Sequence, residues 1–164
     1  MLACLYPHAL GSRNFSQFQS AYSKQHSTET ALLKVLDSEY TAANDKQVNV
    51  LVGLDLSAAF DMVGHDTLLQ RLQTEFGVTG MALSWHRSYL SGRSQFLNLG
   101  DHHSPAVSLN ISVPQESVLQ PILFVVYCSP VGDIIAEHSV QYHQYADDTQ
   151  LRVAMCADNT AVRL

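Results

Sequence analysis

The chain has 164 residues, of which 46% are hydrophobic and 15% are charged. This composition is typical of one globular domain, or part of one, and it excludes a largely disordered chain. The net charge of −6 excludes the strongly basic surface with which most nucleic-acid-binding domains hold phosphates.

Three cysteines lie far apart and none is in a CxxC pair. This usage predicts reduced thiols in an intracellular protein of the cytoplasm or nucleus, with no disulfide or zinc framework. No apolar run approaches the roughly 18 residues of a membrane span, so we expect no membrane partner. The N-terminal residues also lack the basic region of a signal peptide.

The first half of the chain predicts a helix and then a strand. Residues 1–18 show no hydrophobic period, and we expect them to be irregular. Ser27 is a suitable N-cap for a helix that continues to about Ala43. The stretch VNVLVGLDL (residues 48–56) is almost continuously apolar. That pattern predicts a central strand buried on both faces.

Two more helices are expected between residues 66 and 92. Asp66 and Thr79 are suitable N-caps, and Gly77 and Gly92 are suitable helix ends. Both helices place apolar residues at helical spacing.

The second half of the chain predicts strands around one apolar helix. Residues 95–113 indicate two short strands joined by a polar loop. An apolar helix is expected from Ser117, with Pro130 breaking or restarting it. The stretch QYHQYADDTQLRV (residues 141–153) predicts a hairpin. Helices and strands therefore mix in an α+β architecture.

Two adjacent carboxylates, Asp147 and Asp148, lie at the tip of the predicted hairpin. Their repulsion is unfavourable unless something positive binds nearby. A solvated turn is the alternative, because aspartate favours turns. Asp55 raises the same question at the end of the apolar strand, where an unpaired carboxylate is costly. It could cap the following turn, pair with a basic residue, or lie exposed at the sheet edge.

If the strand pairs with the hairpin, these carboxylates could converge. Three carboxylates in one place would repel each other, and divalent cations would relieve that repulsion. Mg²⁺ prefers oxygen ligands and often completes its shell with water and substrate phosphates. Two such ions roughly 3.5 to 4 Å apart can catalyse an in-line phosphoryl displacement.

Five blocks occur in one order over residues 19 to 151: QSAYSKQHSTETALLKVL, VLVGLDLSAAFDMVGHDTLLQRL, ALSWHRSYLSGRSQF, VPQESVLQPILFVVYCSPVGDII and YHQYADDTQL. Together they resemble the reverse transcriptase domain of non-LTR (LINE-type) retrotransposons. The resemblance implies the fingers and palm of a right-handed polymerase, with a small, mostly antiparallel palm sheet packed on helices. We expect this fragment to cover residues 19–155, between a divergent segment at 1–18 and a tail at 156–164.

The resemblance also implies a reaction, RNA-directed DNA synthesis, with an RNA template, a DNA primer and a dNTP as partners. Two Mg²⁺ or Mn²⁺ ions would be the cofactors. Asp55, Asp147 and Asp148 would be the catalytic, metal-binding carboxylates. Phe60 would match the aromatic gate against the 2′-hydroxyl of a ribonucleotide, although core packing explains an aromatic equally well. Gln115 would contact the incoming nucleotide.

Five further residues match positions that hold the triphosphate. Four of them, Leu56, Ser57, Ala58 and Ala59, would form a backbone cradle. The fifth, Lys24, would be a lysine of the fingers. Asp61, His65 and Asp66 also match motif positions, and we interpret them as structural.

Several positions depart from the family pattern. Glu116 and Gln120 replace glycines, Ser23 replaces a phosphate-binding arginine, and Gly64 stands where an aspartate is usual. A glycine at position 116 would let the backbone approach the template closely. We also expect the thumb, the first part of the fingers and the endonuclease to be absent. The chain alone should therefore be weak or inactive as an enzyme. The alternative is a non-enzymatic relic or a domesticated interaction module derived from a retrotransposon.

Overall fold

The computed structural model describes residues 2–23 and 25–156, so Lys24 and residues 157–164 of the predicted tail lie outside it. Helices and strands mix along the chain, as an α+β fold requires. In order, the elements are α1 (Leu2–Leu10), α2 (Thr28–Asn44), β1 (Gln47–Leu54), α3 (His65–Thr74), α4 (Gly80–Leu90), β2 (Ser94–Gln95), β3 (Asn98–Leu99), β4 (His102–His103), β5 (Val107–Ser108), α5 (Gln120–Glu137), β6 (Gln141–Tyr145) and β7 (Asp148–Cys156).

The chain divides into two compact units. The first unit comprises Met1–Asn14 and Ala58–Tyr127, and the second comprises Phe15–Ser57 and Cys128–Leu164. No helix among the residues that the structure describes has the length and apolarity needed to cross a bilayer.

The second unit holds a three-stranded antiparallel sheet in the order β1-β7-β6. Leu54 pairs with Thr149, and Tyr145 pairs with Asp148. The predicted strand and hairpin are therefore confirmed. The prediction that the apolar strand is central and buried is wrong, because β7 takes the centre and β1 is an edge strand. Leu51 of β1 is 47% exposed.

Helix α2 begins where the sequence predicts. The Ser27 hydroxyl accepts a hydrogen bond from the Thr30 backbone N–H at 3.3 Å. The Thr30 hydroxyl oxygen accepts one from the Ser27 N–H at 2.8 Å. This reciprocal capping box satisfies two backbone donors that the helix itself leaves unpaired.

The N-terminal segment is more regular than expected. Residues 1–18 were predicted to be irregular, yet α1 is a helix with Leu5 and Ala9 buried in the first unit. The His8 ring lies 2.5 Å from the backbone carbonyl oxygen of Phe76. Tertiary contacts thus stabilise a helix that is too short to show a clear hydrophobic period.

Two predicted helix boundaries need correction. Asp66 is not the N-cap of α3, because the helix already begins at His65 with Gly64 in the cap position. Asp66 instead lies in the first turn, where a negative charge still suits the helix dipole. Pro130 does not break α5, which continues through it to Glu137. Burial of the apolar residues 122–126 offsets the backbone hydrogen bond that proline removes.

Other local signals are confirmed. Thr79 is the N-cap of α4. Gly77 and Gly92 follow helices α3 and α4 with φ of 65° and 66°, which favour glycine. The prediction of two short strands in residues 95–113 is only partly right, because the structure has four strands of two residues each, in two small antiparallel sheets.

Candidate functional site

The sheet register brings the predicted carboxylates to one end of the second unit. Asp55 follows Leu54, the last paired residue of β1, and Leu54 pairs with Thr149 of β7. Asp147 lies in the two-residue turn between β6 and β7, and Asp148 is the first residue of β7. Neighbouring strands are about 4.8 Å apart. Asp55, Asp147 and Asp148 therefore lie together at what we call the acidic end of the sheet.

Exposure differs among these carboxylates. Asp147 is half-buried, whereas Asp55 and Asp148 are exposed. Of the alternatives for Asp55, exposure at the sheet edge matches its position.

Tyr22 lies beside Asp147. Burial raises the pKa of the Tyr22 hydroxyl, and the charge of the Asp147 carboxylate raises that pKa further, as does Tyr145. The sequence reasoning did not predict this neighbour. Tyr22 is far from Asp147 along the chain, so no local pattern connects the two residues.

Gln19 also reaches the turn that carries Asp147. Its side chain forms hydrogen bonds with both the backbone N–H and the backbone carbonyl of Ala146. Sequence reasoning missed this residue as well, because its partner is 127 positions away.

The acidic end offers the oxygen ligands that Mg²⁺ prefers. Among the described residues, no group of three or more His, Cys, Asp and Glu side chains is arranged to hold a metal ion. Mg²⁺ commonly takes only one or two protein carboxylates and completes its shell with water and substrate phosphates. Two carboxylates at the same end of the sheet, Asp55 after β1 and Asp147 in the β6–β7 turn, suit that pattern of coordination.

Phe60 lies in the first unit and is half-buried. Its ring centroid is 4.7 Å from that of Phe124, at an interplanar angle of 50°. This contact accounts for an aromatic residue by core packing, the alternative that the sequence left open. The role of gate stays a prediction.

Gln115 is exposed in the same unit, and its side-chain amide donates to the Asp61 carboxylate at 2.9 Å. The structural role of Asp61 stays an interpretation, and this contact is the one that it would use to orient the glutamine. Glu116 follows with φ of 57°, in the left-handed region that favours glycine.

The residues of the predicted triphosphate cradle are divided between the units. Leu56 and Ser57 are exposed at the end of one segment of the second unit. Ala58 begins a segment of the first unit with φ of 52°, and Ala59 is half-buried. The Ala58 carbonyl accepts hydrogen bonds from the backbone of Asp61 and Met62, which closes a tight turn. Lys24 is outside the described residues.

A cavity of about 480 Å³ lies elsewhere in the second unit. None of the predicted site residues lines it. Its walls come from α2, the sheet and the end of α5, and they include Phe18, Lys34, Leu51, Tyr142, Gln150 and Arg152. The candidate site is therefore at an open sheet end and not in this cavity.

Comparison with known proteins agrees with the motifs. The sequence profile of the reverse transcriptase (RNA-dependent DNA polymerase) family matches residues 1–159. The RNA-directed DNA polymerase from mobile element jockey of Drosophila melanogaster is 31% identical over 139 residues, covering 81% of this chain and 15% of that protein. The probable RNA-directed DNA polymerase from transposon BS of the same species is 27% identical over 150 residues, covering 88% and 16%.

A third relative, the probable RNA-directed DNA polymerase from transposon X-element of Drosophila melanogaster, is 28% identical over 134 residues, covering 80% of this chain and 14% of that protein. The chain thus spans about 15% of the length of the curated relatives that it matches. The resemblance to reverse transcriptases of non-LTR retrotransposons is confirmed. The chain belongs to the reverse transcriptase (RNA-dependent DNA polymerase) family.

Proposed function

We propose that this chain is the fingers and palm fragment of a retrotransposon reverse transcriptase, with the acidic end of its sheet as the metal-binding part of the active site. The observation that supports the proposal is the β1–β7 register, in which Asp55 follows Leu54 opposite Thr149, close to Asp148 and to the turn that carries Asp147. The ancestral reaction would be nucleotidyl transfer that extends a DNA primer along an RNA template with dNTPs as substrates.

Asp55 and Asp147 would bind Mg²⁺ or Mn²⁺, with Asp148 adding negative charge beside them. Two such ions, when bound, neutralise the triphosphate and stabilise the attacking and leaving oxygens. The chain's own contribution would be to hold the carboxylates at one end of the sheet, so that little reorganisation is needed when the cations and the triphosphate bind.

Other residues of the motifs would bind the nucleotide. Gln115, oriented by Asp61, would contact the incoming nucleotide, and Ala58 and Ala59 would present backbone groups to its triphosphate. Leu56 and Ser57 precede them in the chain and match the same motif, and Lys24 would add positive charge. Phe60 would exclude the ribonucleotide 2′-hydroxyl.

Glu116 would oppose this function. It adds a side chain and a negative charge where the family has glycine, next to the residue that would contact the nucleotide. The net charge of −6 would also weaken the binding of template and primer. We therefore propose that the chain by itself has weak or no polymerase activity while it retains the cation site.

Cation binding by the purified chain tests the proposal. Millimolar Mg²⁺ or Mn²⁺ should raise the thermal unfolding midpoint, since a ligand that binds only the folded state stabilises it. The Asp147→Asn variant should lose this increase. Asp101→Asn, which alters an exposed loop aspartate, is the matched control and should keep it.

Two results would count against the proposal. Equal stabilisation of Asp147→Asn and the wild-type chain would place the cation elsewhere. If the cations stabilise neither the wild-type chain nor Asp147→Asn, the result would favour a non-enzymatic relic or interaction module. Efficient primer extension by the wild-type chain, abolished in Asp147→Asn, would contradict only the expectation of weak activity.

A further inference from the structure

The turn that carries Asp147 has an unfavourable backbone conformation. Ala146, the residue before Asp147, has φ of 56°. The left-handed region is disfavoured for a residue with a β-carbon and is usually occupied by glycine. A turn of this kind persists only when surrounding contacts hold it.

Gln19 supplies those contacts. Its side-chain carbonyl oxygen accepts a hydrogen bond from the Ala146 N–H at 3.0 Å. Its side-chain amide donates to the Ala146 carbonyl at 3.1 Å. The same side-chain carbonyl oxygen accepts from the Ala21 N–H at 3.0 Å. Gln19 is buried, with 5% of its surface exposed. Its single side-chain amide therefore forms hydrogen bonds with both the backbone N–H and the backbone carbonyl of Ala146.

The backbone around Gln19 is itself fixed to β6. The Gln144 N–H donates to the Phe18 carbonyl at 2.9 Å, and the Ser20 N–H donates to the Gln144 carbonyl at 3.0 Å. The Ser20 hydroxyl lies 3.0 Å from the His143 ring nitrogen Nε2. Residues 18–20 thus form an additional edge segment along β6, which holds the Gln19 side chain against the turn.

We propose that Gln19 is a positioning residue for the cation site. By holding Ala146, it presents the Asp147 carboxylate at the acidic end of the sheet in the orientation that binds a divalent cation. Gln19 does not contact the cation and acts only through Asp147. This inference rests on the proposed function, because it assumes that Asp147 binds the cation.

A glutamine side chain suits this contact because it can both accept and donate a hydrogen bond. Glutamate has the same length and can accept from the Ala146 N–H, but it cannot donate to the Ala146 carbonyl, and its charge would repel Asp147. Methionine has a similar volume but can replace neither hydrogen bond. The two substitutions therefore remove part or all of the contact while filling the same space.

The test measures Mn²⁺ affinity by electron paramagnetic resonance for the full chain and three variants, Gln19→Met, Gln19→Glu and Gln17→Met. Loss of an outer-shell partner typically weakens metal binding about 10- to 100-fold, so Gln19→Met should weaken it at least about tenfold. Gln19→Glu should also weaken it. Gln17 is exposed and only two positions away, so Gln17→Met should bind Mn²⁺ like the wild-type chain.

A second measurement separates positioning from stability. Amide hydrogen exchange at Ala146 should become faster in Gln19→Met while circular dichroism stays like that of the wild-type chain. In the Asp147→Asn background, Gln19→Met should cause no further loss of Mn²⁺ affinity, because the two residues act as one unit.

Three outcomes overturn the inference. Wild-type Mn²⁺ affinity in a folded Gln19→Met or Gln19→Glu variant would overturn it alone and leave the proposed function intact. Unfolding of both variants would also overturn it, since Gln19 would then be needed for the fold. Absence of Asp147-dependent Mn²⁺ binding in the wild-type chain would overturn the proposed function, and this inference with it.

Discussion

Glu116 has a backbone conformation that suits glycine better than glutamate. Its φ of 57° costs an L-residue about 1–2 kcal/mol, whereas glycine loses about 0.5–1 kcal/mol more entropy on folding. Glu116→Gly should therefore raise the free energy of unfolding by about 0.5–1 kcal/mol, as measured by urea denaturation. Because Glu116 is exposed, little packing is lost.

Glu137→Gly is the matched control for that substitution. Glu137 is exposed in α5, where glycine should lower stability by up to about 1 kcal/mol. Unchanged or lower stability in Glu116→Gly would show that the left-handed conformation carries no strain.

His143 gives stability a pH dependence. Burial lowers its pKa, and the positive charges of Lys34 and His26 lower it further. The unfolded chain takes up the proton near pH 6.5, above the lowered pKa of the folded state. The stability linked to His143 is therefore complete above about pH 6.5 and is lost as the pH falls.

Thermal unfolding midpoints between about pH 8 and pH 5.5 check this dependence. The wild-type midpoint should fall more than that of His143→Gln, in which the amide can still bond the Ser20 hydroxyl. Parallel curves for the two proteins would contradict the assignment to His143.

Helix α3 begins without a side-chain cap. Gly64 has φ of −71° and ψ of 124°, the extended conformation that N-cap residues adopt. A β-carbon there would lie 3.7 Å from the Thr67 hydroxyl oxygen, an ordinary contact. Gly64→Asp should therefore add a capping hydrogen bond and a favourable dipole interaction, worth about 0.5 kcal/mol together.

Gly64→Ala separates capping from loss of backbone freedom. Alanine is a poor N-cap, so this variant should gain no stability in urea denaturation. Equal stabilisation by alanine and aspartate would show that the cap is not the cause.

Local sequence signals predicted the type and the ends of helices and strands better than they predicted where those elements lie in the fold. Ser27 and Gly77 mark helix ends through bonds and conformations within a few residues, so the sequence contains that information. The apolar run of β1 predicted a strand correctly but not its place at the edge. That place depends on β7, which pairs with both β1 and β6 from far along the chain. The prediction for Pro130 was wrong because burial of residues 122–126 of α5 outweighs one lost hydrogen bond.

At the scale of the whole molecule, the candidate site was also predictable only in part. The adjacent Asp147 and Asp148 and the isolated Asp55 are visible in the sequence, and the register places them at one sheet end. The hydrogen bonds of Gln19 with the turn and the electrostatic interaction of Tyr22 with Asp147 were not predictable, because they connect distant parts of the chain. The family match covers residues 1–159, a range that includes all three carboxylates.

The central claim is that Asp55 and Asp147 hold one cation site. Mn²⁺ affinity of the wild-type chain, Asp55→Asn, Asp147→Asn and the double variant tests it most directly. Each single substitution should weaken binding at least about tenfold, and the double variant should bind no more tightly than either one, because both residues act on one site. Wild-type affinity in either single variant would contradict the shared site.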